Sequence, residues 1–225
     1  MINLIPWKYE IMNSKSVDDI ESLSWSEKEL KLVKHVELFQ CKPAILQKAE
    51  NRFGALQKGL EKEIIPLATY LPKNLDLVKN QIARGENHNG FPFLSLDYPQ
   101  NFSKTEMFTM RTLFWWGHYL GFSLILKGER LAIYSQRLLE NYKTKHFQDI
   151  FVCLAPTPWE WELNAKNYSL VSKVNAREFQ KTILELGYLK LMRVVTFTDE
   201  NFISLNWTQT GVQFWKDLAS ITMDN

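Results

Sequence analysis

One stretch constrains the fold more than any other: residues 84–127, RGENHNGFPFLSLDYPQNFSKTEMFTMRTLFWWGHYLGFSLILK. Asn87-His88-Asn89-Gly90 is a turn signal, because Asn-Gly tolerates the left-handed backbone that a tight connection needs. Phe91, Phe93 and Leu96 begin an extended run, and Pro92 inside it predicts an edge strand or a late strand start. Asp97-Tyr98-Pro99 predicts its end, since a residue before proline is pushed away from the helical region. Ser103-Lys104-Thr105-Glu106 has the spacing of a capping box and predicts a helix. Met107, Met110, Leu113 and Phe114 would share one face of it. From Trp115 to Leu126 the period disappears and nearly every residue is apolar, with Gly117 and Gly121 inside. That composition predicts a strand buried on both faces, and a buried helix fits the same run.

Three short motifs in this stretch, Arg84-Gly85-Glu86-Asn87, Leu96-Asp97-Tyr98-Pro99 and Arg111-Thr112 with Phe114-Trp115-Trp116-Gly117, resemble a family of uncharacterised bacterial proteins of unknown function. The resemblance covers the central stretch alone. It implies no activity and lends no catalytic residue.

A chain of 225 residues can bury a sizeable core, and 45% hydrophobic against 23% charged residues is a globular composition. A single domain over residues 1–225 is expected. With 27 basic and 25 acidic residues, the net charge of +2 makes no electrostatic case for nucleic acid. No apolar run reaches the roughly 20 residues of a membrane helix, so no membrane partner is expected. The opening MINLIPWKYE lacks a basic region followed by an apolar core, which predicts no secretory signal and a cytoplasmic location by default. Cys41 and Cys153 stand in no metal-ligand spacing, and two buried thiols are expected in preference to a disulfide. No cofactor or metal is expected.

Residues 1–25 read as irregular or briefly extended, with Trp7 and Tyr9 available for packing. Ser24 or Ser26 can cap a helix reaching about Phe39, and a second helix is expected from Pro43. The second would align Ile45, Ala49, Phe53, Leu56, Leu60 and Ile64, so an N-terminal helical hairpin over about 26–71 is predicted. Leu75–Ala83 reads as strand or short helix, Glu129–Tyr142 as helix and Phe151–Ala155 as a short strand. Trp159, Trp161 and Leu163 alternate with Glu160 and Glu162, which predicts a strand paired with Tyr168–Val174. Asn175 with Glu178 opens a helix that Gly187 stops. Leu189–Phe197 and Phe202–Trp207 read as a hairpin about Asp199-Glu200-Asn201, followed by a helix presenting Val212, Trp215, Leu218 and Ala219. Hairpins with interspersed helices predict an α+β fold with a largely antiparallel sheet.

No nucleophile elbow, phosphate loop, dinucleotide fingerprint or metalloprotease motif is present. Arg84 to Gly90 is polar and bracketed by glycines, so Arg84, Glu86 and His88 are candidate ligand contacts, and equally an ordinary exposed turn. His118, between aromatic neighbours, is a candidate general base because burial keeps an imidazole neutral; a core histidine with a hydrogen bond explains it too. Arg111 can grip an anion bidentately or pair with Asp97. Glu160 and Glu162 point the same way along a strand, as paired carboxylates or as a plain wet face. Two functions follow. The first is a binding module whose cleft near Trp115, Trp116 and Trp159 holds a small apolar or aromatic ligand or a protein partner. The alternative is an enzyme using His118 or His88 with Arg111 and Asp97, which requires those groups to converge.

Overall fold

The computed structural model describes residues 24–79 and 81–223. The expected extended piece about Trp7 and Tyr9 lies outside them. Contacts divide the chain into a unit ending at Ala44 and a body, Ile45–Asn225, that carries the whole sheet. The predicted α+β class holds. Among the described residues, five α-helices accompany a seven-stranded sheet ordered β1-β2-β3-β4-β7-β5-β6, with every pairing antiparallel.

At the N-terminal end, Ser26 and Glu29 cap each other reciprocally and open α1 (Glu27–Val33). The next helix, α2 (Val36–Ile64), starts well before Pro43 and runs through it. A proline there removes one ladder donor, and the apolar stripe beyond it continues the helix. The hairpin expected over 26–71 therefore gives way to a seven-residue helix, a 29-residue helix and a 3-10 turn, Ile65–Tyr70. Leu46, rather than the expected Ile45, joins Ala49, Phe53, Leu56, Leu60 and Ile64 in the core.

The central hairpins set the rest. β1 (Gln81–His88) and β2 (Phe91–Phe102) meet at Asn89-Gly90, whose φ of 52° and 88° are those of a type I′ turn. Arg84 to His88 are thus strand, and the turn proper is shorter than predicted. β2 also continues past Asp97. A register shift between Asp97 and Gln100 accommodates the cis Tyr98–Pro99 bond and lets pairing resume.

The capping-box reading of Ser103 is overturned. Ser103–Glu106 is a four-residue turn, and β3 (Met107–Trp115) follows it as a strand. Ser103 Oγ accepts from Glu106 N at 2.8 Å and donates to Glu106 O at 3.1 Å. The Glu106 carboxylate reaches forward to accept Glu129 N–H at 3.0 Å instead of closing a cap. Met107, Met110, Leu113 and Phe114 satisfy helical spacing only because β3 is apolar on both faces. The Ser103→Ala change should cost roughly 0.5–1.5 kcal/mol through loss of that turn bond, read as a shift in the urea midpoint at constant slope. An unchanged midpoint would show that the backbone bond Ser103 N–Glu106 O closes the turn unaided.

The predicted unbroken strand from Trp115 also divides. Trp116-Gly117-His118 turns the chain, with Gly117 at φ 77°, and β4 (Tyr119–Lys127) returns along β3. α3 (Leu131–Asn141), β5 (Phe151–Cys153) and α4 (Ala176–Leu186) follow close to expectation, whereas the strand expected over Tyr168–Val174 is cut to β6 (Tyr168–Leu170), runs into a 3-10 turn at Val171–Lys173 and pairs with β5 rather than with residues 159–163. Gly187 ends α4 at φ 73°. β7 (Leu189–Thr196) pairs with β4 rather than with a following strand. Residues 200–204 form a 3-10 turn, and Asn206, accepting from Gln209 N at 3.0 Å, caps α5 (Trp207–Thr222).

Alternation sorts the sheet into two layers. Leu94, Leu96, Phe108, Met110, Phe122 and Leu124 face a core shared with α2 from Leu46 onward, α3, α4 and α5. Gly211 brings α5 close to that layer, since a Cβ there would lie 2.6 Å from Leu56 Cδ1. The opposite face holds Leu113, Trp115, Tyr119 and Met192, and residues 154–167 cover it. Among the described residues no helix is long and apolar enough to cross a membrane. Cys153 is buried as expected, whereas Cys41 is exposed.

Candidate functional site

The second face of the sheet gathers most of the residues singled out in the sequence. Asp97 and Arg111 lie directly opposite each other on β2 and β3. Arg111 Nε and Nη2 donate to Asp97 Oδ1 and Oδ2, both at 2.8 Å, and Thr109 Oγ1 adds a 3.2 Å bond to Oδ1. Asp97 is only 2% exposed, so this bidentate pair is what lets its charge be buried. The expected salt bridge is therefore present. The Trp159 ring lies over the guanidinium, 4.7 Å from centroid to Cζ.

Trp159 belongs to a strap rather than to the predicted strand. Residues 156–163 make no ladder. Pro156 and Pro158 offer no amide for one, and the Glu160 carboxylate takes the Trp161 and Glu162 amides at 2.8 Å each. The expected alternation is lost with the strand: Trp161 is buried and Glu162 exposed, but Trp159 at 39% and Leu163 at 36% are exposed as well, and Glu160 is half-buried. The strap's carbonyls are held from the sheet. Tyr188 OH donates to Ala155 O at 2.5 Å, Tyr119 OH to Trp161 O at 2.6 Å and Tyr168 OH to Glu160 O at 2.6 Å.

Lys190 completes that set. Its Nζ donates to Pro158 O (2.9 Å), Glu160 O (2.7 Å) and Tyr168 OH (2.7 Å) while the residue is 3% exposed. Burial pushes the amine down to about 8, and the nearby Arg111 charge acts in the same direction. The tyrosine hydroxyls are pushed well up, chiefly by burial, so they stay protonated donors.

At the hairpin end of this face the aromatic residues are closed on one another. The His118 ring stacks on Trp115 at 3.5 Å and 9°, with the edge of Phe91 at 4.7 Å. His88 lies over Trp161 at 3.6 Å, and Trp115 Nε1 donates to the His88 carbonyl at 3.3 Å. Burial lowers the pKa of both histidines, against the raising effect of Glu160 at His88 and of Glu162 at His118. His118 Nε2 is buried without a hydrogen-bond partner, so the expected hydrogen-bonded core histidine is not found; the ring is held by stacking on Trp115.

These groups divide into two places. His118 lies beyond Trp115, and four residues of β3 at about 3.3 Å each put Arg111 roughly 13 Å back along the strand. Trp116 turns to the helix-side core, with its ring edge-on to Phe114 at 6.3 Å, so Trp115 and Trp116 line no common cleft. Arg84 and Glu86 form an exposed ion pair at 3.3 Å on β1. Lys190 is not among the residues singled out in the sequence, although a lysine set among Leu189, Leu191 and Met192 in an apolar strand is itself a signal. Among the described residues no three His, Cys, Asp or Glu side chains gather as metal ligands. No protein-family model, no curated protein and no solved structure matches the chain.

Proposed function

We propose that the chain is a binding module that presents the strap as an aromatic platform for a small planar ligand. The observation that carries this reading is the pairing of Trp159, 39% exposed, with Phe102, 43% exposed, their centroids 6.4 Å apart. Large aromatic groups this exposed ordinarily cost solubility. Here one is fixed from beneath by Arg111, and its strap is fastened by Lys190 and three tyrosines. A platform held in place loses little entropy on stacking a ligand, which favours binding. The enzyme alternative has less support. Arg111 and Asp97 are engaged with each other, and His118 and His88 sit against Trp115 and Trp161 at the far end of the face.

Indole, quinoline and adenosine serve as planar probes, titrated while the Trp159 indole N–H resonance is followed. Saturable shifts are expected in wild type, with affinity, read by calorimetry in all three proteins, falling about fivefold or more in both Trp159→Ala and Phe102→Ala. A response to none of the three probes, or a calorimetric affinity unchanged in both variants, would remove the platform reading.

A further inference from the structure

The N-terminal helices carry apolar residues that this chain leaves uncovered, and none of them belongs to the strap. In α2 the stripe buried at Leu46, Ala49, Phe53 and Leu56 continues back, at helical spacing, to Phe39 and Val36. There it meets nothing: Phe39 is 66% exposed and Val36 56%. α1 buries none of its seven residues, although Leu30 and Val33 share one side of it. Leu30, Val33, Val36 and Phe39 thus recur every three residues through the break at Lys34-His35, all exposed. A helix as short as α1 is marginal in water, and packing of its apolar side is what ordinarily sustains one. An uncovered face of this kind marks a contact surface.

Area and charge together identify the partner. With Trp25, just before the cap, these four residues expose roughly 600 Å², and flanking charged side chains bring the surface near the about 800 Å² that each partner gives a stable interface. Glu27 and Lys34 stand seven residues apart, so they lie on the same side of the Leu30–Val33 pair. When two helices pack antiparallel, the same flank of each meets the other in reverse order, which sets Glu27 of one copy opposite Lys34 of the second. An acidic start and a basic end therefore make this surface complementary to itself, as a two-fold interface requires. A bilayer fits it less well, because residues 24–44 carry four lysines against three glutamates, too small an excess to draw anionic lipid. We propose that Leu30, Val33, Val36 and Phe39 pair antiparallel with the same residues of a second copy, with reciprocal Glu27–Lys34 ion pairs at the edges.

Sedimentation equilibrium of the full chain tests this. A monomer–dimer equilibrium is expected, with Kd on the order of micromolar. Val33→Asp should leave a monomer whose circular dichroism retains the sheet. Glu27→Lys should weaken association about fivefold or more, and adding Lys34→Glu should restore it to within about twofold. The pair of substitutions separates the interface from a helix-end effect, since both changes oppose the helix dipole and a helix-end effect would deepen in the double variant. It also carries the test alone should Val33→Asp fold poorly. The proposal is overturned by a full chain that stays monomeric up to about 100 μM, by a dimer that a folded Val33→Asp leaves intact, or by a double variant no stronger than Glu27→Lys. A monomer that pellets with phosphatidylglycerol vesicles would overturn it too, and would make the face a lipid anchor.

Discussion

Replacing Arg111 by methionine is expected to lower stability by roughly 3–5 kcal/mol, because it leaves the Asp97 carboxylate buried without a counter-charge. Thr109 would be its remaining side-chain donor, at 3.2 Å. A double-mutant cycle separates this from simple loss of packing. Adding Asp97→Asn to Arg111→Met should recover a substantial part of the loss, since the amide needs no counter-ion. Small anions at millimolar concentration should leave the melting temperatures of both proteins unmoved, because both Asp97 oxygens already occupy the arginine. An Arg111→Met protein as stable as wild type, or one that alone fails to respond to an anion that stabilises wild type, would make Arg111 a ligand anchor instead.

The Arg111–Asp97 pair is legible in the sequence, although its geometry is not. Local signals make it join a strand end to a helix, whereas in the fold it joins two adjacent strands. The difference has a definite source. Ser-x-x-Glu places the same donors and acceptors at a helix start and at a four-residue hairpin turn, and only the next residues distinguish them. Phe108, Thr109, Thr112, Phe114 and Trp115 are β-branched or aromatic, which favours the strand. Similar ambiguity governs the strap: Trp159, Glu160 and Trp161 alternate as a strand does, but the flanking prolines deny the ladder its amides. Helix α4 and the Asn89-Gly90 turn are readable because their signals are local. The ion-pair network about Arg193 is not, since Asp149, Arg193 and Asp217 come from three separate segments and assemble only when β7 docks between them.

Lys190→Met should cost roughly 2–3 kcal/mol at neutral pH, because Pro158 O loses its donor in a buried setting while Glu160 O retains Tyr168. The strap should loosen, seen as faster amide exchange over residues 159–163 and a change in the Trp159 environment, with exchange in β3 and β4 unaltered. The wild-type pH profile carries a second signature of this amine. In the folded chain Lys190 loses its proton near pH 8, whereas in the unfolded chain it behaves as an ordinary lysine at about 10.4. Between those values the unfolded state binds more protons, so stability should rise with pH from about 8 towards 10, by up to roughly 2–3 kcal/mol. Above about 10 the buried tyrosines oppose it, because they hold protons that unfolded tyrosines release. Urea midpoints measured across this range should therefore rise and then turn over in wild type. In Lys190→Met the rise should vanish while the alkaline fall remains. A wild-type profile that is flat from pH 8 to 10 would mean that the three acceptors around Nζ stabilise the ammonium enough to cancel the cost of burying it.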